Sequence, residues 1–242
     1  MKHIKLFENF EVVEPIRYGE PLNNKEVNFL KGYNILCPEL ILKDDNYYYV
    51  FDHRCENIKD VPVTYINGLC SKFEITNYTI NDDHTIDVRG DVNFYYDRLS
   101  KIPLRFNIVS GHFDCSKNKL TTLEGSPKMV GGYFNCSNNK LTTLEGSPES
   151  VDNDFYCSFN ELTTLEGGPE RVGGDFYCWN NKLTNLEGSP KRVGGDFSCW
   201  NNKLTTLEGS PEYVGGDFSC ANNPLTSVEY KGIVKGKILR EY

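Results

Sequence analysis

A 21-residue spacing governs the second half of this 242-residue chain. Six cysteines mark it: Cys115, Cys136, Cys157, Cys178, Cys199 and Cys220. Whole segments, such as residues 172–186, recur with the cysteines. Self-similarity at a short fixed period predicts a solenoid, in which each repeat is stable only because it packs on its neighbours.

Each repeat has an apolar pattern that specifies which side chains face the core. In register, a unit has the form Phe-x-Cys-x-x-Asn-x-Leu-x-x-Leu, as in the unit that begins at Phe176. Successive residues of a strand point to opposite faces. We therefore expect Phe176 and Cys178 to face inward on a short strand, with Tyr177 facing outward and the leucines completing the core.

This pattern resembles the leucine-rich repeat, with cysteine at one of the usual leucine positions. The usual asparagine is present in all six units: Asn118, Asn139, Asn160, Asn181, Asn202 and Asn223. We interpret it as structural, because an amide can satisfy backbone donors and acceptors where the strand turns. One period earlier, residues 88–108 fit the same pattern with Asp97 in place of asparagine, as expected of an atypical terminal repeat.

The resemblance implies a leucine-rich-repeat solenoid with short parallel β-strands on its concave face and a mostly non-helical convex side. We assign seven units to residues 88–229, the first of them degenerate, and a capping strand to residues 230–242, centred on 232–239. Residues 1–87 show no repeat and are predicted to form a small α+β or mostly-β domain. Within it, residues 25–32 are expected to be a short helix, and residues 47–51 and 73–80 are rich in residues that favour strands.

A recurring Gly-Gly pair precedes each strand and makes a prediction about the backbone. Its second position is glycine in six units and Asn153 in the remaining one. Asparagine is one of the few other residues that tolerate a positive φ. We therefore predict a left-handed backbone at this position in every unit, Asn153 included.

Equivalent side chains on stacked parallel strands form columns, and neighbouring members of a column are about 4.8 Å apart. Four columns are predicted to face outward. The aspartate column is His112, Tyr133, Asp154, Asp175, Asp196 and Asp217; the tyrosine column is Asp114, Asn135, Tyr156, Tyr177, Ser198 and Ser219. The tryptophan column is Ser116, Ser137, Ser158, Trp179, Trp200 and Ala221; the fourth column is Lys117, Asn138, Phe159, Asn180, Asn201 and Asn222.

The aromatic members of these columns are the candidate binding site. Exposed aromatic clusters with polar neighbours are typical of interface anchors. The predicted partner-binding residues are Tyr133, Asp154, Tyr156, Phe159, Asp175, Tyr177, Trp179, Asp196, Trp200 and Asp217. Two structural alternatives stay open: the tryptophans stack on each other only to shield the strands, and each aspartate bonds its own backbone in an Asx-turn rather than binding a basic partner.

Several classes of function fit the sequence poorly. The net charge of -8 argues against nucleic-acid binding, which relies on clustered Lys and Arg. No apolar run suggests a membrane span or a signal peptide, so we expect the protein to stay in the compartment where it is made, with its cysteines reduced. His53 and Cys55 lack a second pair of metal ligands, and residues 232–237 are one residue short of a phosphate-binding loop. We expect a non-enzymatic protein without cofactor or metal.

The repeat ending Leu-Glu-Gly-Ser-Pro and the lead-in at residues 78–88 resemble a group of bacteriophage leucine-rich-repeat proteins. Residues 1–10 are similar to the starts of phage proteins, some of which are capsid-targeting peptides. The resemblance implies a phage-encoded scaffold that binds a bacterial host or phage protein in the host cytoplasm, for example to block a host defence. A packaged virion component and a carbohydrate-binding module are the alternatives, and a homo-oligomer is left open.

Overall fold

The computed structural model describes residues 40–43, 46–49, 61–227 and 229–240, and the chain divides into two compact units, 1–72 and 73–242. In the first unit, strands β1 (Leu40–Lys43) and β2 (Asn46–Tyr49) pair antiparallel, and helix α1 spans Val61–Lys72. Pro62 occupies the first turn of the helix, where the missing N–H costs nothing. Ile66, Leu69 and Cys70 form a buried stripe at helical spacing.

The second unit is a parallel β-solenoid of about seven coils, a coil being one 21-residue turn. Each coil contributes one short strand to each of two sheets. The nine-stranded sheet contains β3 (Tyr78–Ile80), β4 (Ile86–Val88), β6 (Phe106–Val109), β8 (Met129–Val130), β10 (Ser150–Val151), β12 (Arg171–Val172), β14 (Arg192–Val193), β16 (Tyr213–Val214) and β18 (Ile233–Val234), with only β3–β4 antiparallel. The eight-stranded sheet, entirely parallel, contains β5 (Val92–Asn93), β7 (Phe113–Asp114), β9 (Phe134–Asn135), β11 (Phe155–Tyr156), β13 (Phe176–Tyr177), β15 (Phe197–Ser198), β17 (Phe218–Ser219) and β19 (Ile238–Leu239).

The core consists of stacked columns of identical residues, as the repeat predicts. The phenylalanine rings from Phe113 to Phe218 stack at centroid separations of 5.2–5.4 Å, and every one is fully buried. The cysteines at the next inward position are also fully buried, and several thiols donate to a carbonyl of the following coil, as Cys178 Sγ does to Ser198 O at 3.4 Å. Two leucine columns and a valine column complete the core.

The buried asparagine column joins neighbouring coils, which confirms its structural interpretation. Asn160 Nδ2 donates to the carbonyl oxygens of Cys136 and Cys157, both at 3.1 Å, and its Oδ1 accepts the N–H of Leu141 at 3.1 Å. The same pattern recurs from Asn118 to Asn223. Each amide therefore satisfies backbone groups of its own coil and of the preceding one.

The prediction for the second Gly of the Gly-Gly pair is wrong. Only Gly90 has a positive φ there, and Asn153 does not. Close approach to the preceding coil explains the glycine instead: a Cβ on Gly195 would lie 2.0 Å from Asp175 Oδ1. For Asn153, the residue of the preceding coil that is equivalent to Asp175 is Tyr133. Tyr133 has no carboxylate oxygen at that point, so the Asn153 side chain fits.

Two parts of the terminal prediction can be compared with the structure. In the first unit, β2 covers part of the strand expected at residues 47–51. In the second unit, the stretch 73–80 contains strand β3, which begins only at Tyr78. The helix expected at residues 25–32 lies outside the described residues. The segment 230–242 contributes two short strands, β18 and β19, one to each sheet, where a single capping strand was predicted.

Candidate functional site

The outward side of the eight-stranded sheet gathers six aromatic residues that we call the aromatic face: Tyr133, Tyr156, Phe159, Tyr177, Trp179 and Trp200. The two-residue strands place them there. In β13, Phe176 is buried and Tyr177 is half-buried, and Trp179 follows on the same side after the inward Cys178. Identical register from β11 to β15 puts equivalent residues side by side.

The tyrosines of the aromatic face form a continuous row across three coils. Tyr133 stacks on the ring of His112 at a centroid separation of 4.1 Å and meets Tyr156 edge-on at 6.1 Å. Tyr156 then lies 5.6 Å from Tyr177. The row ends because the next two positions of the tyrosine column are Ser198 and Ser219, both buried rather than exposed as predicted.

The two tryptophans form the centre of the aromatic face. Their rings are nearly parallel, with centroids 5.0 Å apart and planes 10° apart. The stacking that the structural alternative required is therefore present. Both side chains nevertheless keep part of their surface exposed, so the pair also offers apolar area to a partner.

Phe159 extends the tryptophan pair at a strained backbone position. Its ring meets Trp179 edge-on, with centroids 4.5 Å apart, and its side chain is 44% exposed. The fourth column is left-handed throughout, with φ of 53–57°, and four of its other members are asparagine. A bulky residue at such a φ is an outlier. Sequence reasoning did not foresee this left-handed column, although its repeated asparagines were a usable indication.

The aspartate column holds neighbouring coils together. Oδ1 of Asp154 accepts the backbone N–H of Asp175 at 2.8 Å. In the same way, Asp175 Oδ1 accepts the N–H of Asp196, and Asp196 Oδ1 accepts the N–H of Asp217. Each of these bonds therefore joins two neighbouring coils. They do not form the Asx-turn that was predicted within the aspartate's own coil. At the start of the column, His112 Nδ1 accepts the N–H of Tyr133 in the same way.

Two of these carboxylates are also bonded to tyrosines of the aromatic face. The hydroxyls of Tyr156 and Tyr177 donate to Oδ2 of Asp154 and Asp175, each at 2.8 Å. Burial raises the pKa of both tyrosines, and the bonded carboxylates raise it further. The tyrosines therefore stay neutral donors, and each oxygen of Asp154 and Asp175 accepts one hydrogen bond within the fold. We assign these two aspartates a structural role.

The cysteines are placed as core residues and not as nucleophiles. Burial raises the pKa of Cys157, Cys178 and Cys199 well above that of a free thiol. The thiolate is the reactive form, so these side chains are poorly suited to nucleophilic or metal chemistry. Among the described residues, no group of three or more His, Cys, Asp or Glu side chains is arranged to hold a metal ion.

The segment resembling a phosphate-binding loop uses its amides within the fold. The N–H groups of Ile233, Lys235 and Lys237 donate to Glu212 O, Val214 O and Asp217 Oδ1 of the preceding coil. A phosphate cradle needs such amides to point at the ligand. His53 and Cys55 lie outside the described residues.

Comparison of the chain with protein-family models, curated proteins and solved structures gives no match. Among the described residues, no helix has both the length and the apolar character needed to cross a membrane. The stacked parallel strands define the class of the protein as a β-solenoid repeat protein, and the aromatic face is its candidate functional site.

Proposed function

We propose that this chain is a non-enzymatic, leucine-rich-repeat-like scaffold that binds a protein partner through the aromatic face. The observation that carries the proposal is Phe159, a large apolar side chain left 44% exposed at a left-handed backbone position. Left-handed backbone costs an ordinary L-residue about 1–2 kcal/mol. The edge contact between the Phe159 and Trp179 rings contributes only about 0.5–1.5 kcal/mol, which is about the same size as the cost of the left-handed backbone. Packing within the fold therefore does not explain why a phenylalanine stands at this position.

The composition of the aromatic face fits a protein interface. Trp and Tyr are enriched among residues that dominate binding energy, and they act best when clustered at the centre of a contact. Here Phe159, Trp179 and Trp200 form one connected group, flanked by the tyrosine row. The rings are held by stacking and by tyrosine–aspartate bonds, so little side-chain entropy is lost when a partner docks.

The resemblance to phage repeat proteins makes a bacterial host protein the first partner class to test, with a phage virion protein as the alternative. The direct experiment is affinity capture from bacterial lysate, followed by purification of the captured protein and a calorimetric titration. We expect the Trp179→Ala/Trp200→Ala variant to bind at least about 100-fold more weakly, since each hot-spot residue contributes 2 kcal/mol or more.

A matched control removes one exposed and one half-buried side chain from the outward side of the other sheet. Met129 is 49% exposed, and Tyr213 is the equivalent residue of β16. The Met129→Ala/Tyr213→Ala variant should bind the partner within about twofold of the unmodified chain. Equal losses in both double variants, or binding of glycans without any protein partner, would overturn the proposal.

A further inference from the structure

A second group of exposed aromatic side chains lies on the same side of the eight-stranded sheet, in the first coil. Tyr95 is 48% exposed and Tyr96 is 63% exposed. Strand β5 pairs with β7, with Asn93 beside Asp114. This register places Tyr95 in the tryptophan column and Tyr96 in the fourth column, each one coil before the first member named above. We call these two residues the first-coil pair.

The first-coil pair repeats the features of the aromatic face. Tyr96 has a φ of 62°, left-handed like that of Phe159 in the same column. The rings of Tyr95 and Tyr96 lie 6.3 Å apart, and Lys117 Nζ donates to the Tyr95 hydroxyl at 2.8 Å. The core of this coil lies on the opposite side of the strand, with Phe94. Core packing therefore does not explain these two exposed rings.

Small side chains separate the first-coil pair from the aromatic face. Over the three coils between them, the tryptophan column contains only Ser116, Ser137 and Ser158. Ser116 and Ser158 are almost fully buried, so large rings stand at both ends of a trough with a serine floor. At about 4.8 Å per coil, the four steps from Tyr95 to Trp179 cover about 19 Å.

The middle of the trough offers hydrogen-bonding groups that the fold does not use. Among the described residues, none bonds Ser137 Oγ or the side-chain amide of Asn138, and both residues keep exposed surface. In these three coils, the tyrosine, tryptophan and fourth columns contain two charged residues, Asp114 and Lys117. Both are already hydrogen-bonded within the sheet. The groups available to a ligand at mid-trough are therefore a neutral hydroxyl and a neutral amide.

We propose that the trough holds an extended segment of the protein partner, with apolar side chains six residues apart that contact the first-coil pair and Trp179. In an extended chain, residues i and i+6 point to the same face and lie about 20 Å apart, which matches the length of the trough. An extended segment also has unpaired main-chain N–H and C=O groups, and Ser137 and Asn138 can bond them. A helix satisfies these groups internally and gains nothing from a polar floor.

This inference rests on the proposed function and deepens it. The aromatic face anchors the partner at one end, the first-coil pair anchors it at the other, and the partner's main chain lies between them. Two anchors on one chain reinforce each other, because the second contact forms at a high effective concentration once the first is made.

The repeat supplies matched variants. Tyr95→Ser/Tyr96→Asn gives the first coil the residues that the third coil has at these positions, and asparagine tolerates the left-handed backbone. Ser137→Trp keeps both anchors but obstructs the trough between them. The same column already accommodates tryptophan at two positions, so the fold should accept this change. Urea unfolding checks that each variant is folded.

The probe is a fluorescein-labelled peptide in which two tryptophans are separated by five alternating Thr and Ser residues. The comparison peptide has the same composition with its tryptophans adjacent, and fluorescence anisotropy measures both. Neither peptide has charged side chains, so lysines in neighbouring columns do not distinguish them. We expect the spaced peptide to bind the unmodified chain at least tenfold more tightly, and this advantage to fall below about twofold in both variants. Absent binding of the spaced peptide, equal binding of the two peptides, or an advantage that persists in either variant would overturn the inference.

The purified partner separates this inference from the proposed function. Partner binding that is lost in the Trp179/Trp200 variant but unchanged in the Tyr95/Tyr96 variant would overturn the second anchor and leave the aromatic interface standing. Partner binding unchanged in the Trp179/Trp200 variant would overturn the proposed function, whatever the peptides do. Losses of at least tenfold in both variants, with the Met129/Tyr213 control unchanged, support both proposals.

Discussion

The buried asparagine column gives the sharpest prediction about stability. Asn139 Nδ2 donates to Cys115 O and Cys136 O, both at 3.0 Å, while its Oδ1 accepts the N–H of Leu120 at 2.9 Å. Asn139→Ala removes these three bonds and a longer one from Nδ2 to Ser137 O at 3.4 Å. The orphaned N–H costs about 1–3 kcal/mol, and two carbonyls that lose a partner add to it. We expect the free energy of unfolding to fall by about 3–4 kcal/mol.

The neighbouring residue is a matched control. Asn138 is the same residue type, but its side chain is exposed and its φ is 57°. Asn138→Gly suits that backbone and should change stability by less than about 0.5 kcal/mol. Urea unfolding followed by circular dichroism measures both variants, with an unchanged m-value required for the comparison. A loss below 1 kcal/mol for Asn139→Ala, or equal losses in the two variants, would refute the reasoning.

Three further predictions concern other columns. Gly195→Ala should destabilise the fold by about 1–3 kcal/mol, because the new Cβ would meet Asp175 Oδ1. Asn153→Ala, at the equivalent position, should cost less than about 0.5 kcal/mol. Equal losses of stability in urea unfolding would contradict this prediction. Phe159→Asn should leave stability within about 1 kcal/mol, since relief of the left-handed strain offsets the lost contact with Trp179, yet it should weaken partner binding at least tenfold in the calorimetric titration. The six thiols of the repeat should react with Ellman's reagent at pH 8 only after unfolding, because burial raises their pKa; rapid reaction of more than three thiols in the native protein would show that the core is open.

The sequence predicted the core well because every coil repeats the same inward residues. Phe176 and Cys178 alternate with Tyr177, and this period of two, together with the 21-residue spacing, fixes both the strand and its register. The position of the aromatic face follows directly, since Trp179 and Trp200 occupy equivalent places in adjacent coils.

Two of the missed features depend on atoms one coil apart. The bond from Asp196 N to Asp175 Oδ1 and the close approach at Gly195 join residues about 21 positions apart, and local propensity carries no information about them. The second sheet was missed because most of its strands, such as Arg171–Val172, have only two residues and are too short to show alternation. Helix α1 was missed for a related reason: β-branched residues such as Val61 and Ile66 lower its helix propensity.

The central claim is that a protein partner covers the aromatic face, and the chain's only two tryptophans, Trp179 and Trp200, both lie there. Incorporating 5-fluorotryptophan therefore gives two fluorine resonances that report on this face alone. On addition of the unlabelled purified partner, both resonances should shift and lose their sensitivity to exchange of H₂O for D₂O. If calorimetry shows a complex while both resonances stay in place and remain solvent-sensitive, the partner binds elsewhere and the claim is wrong.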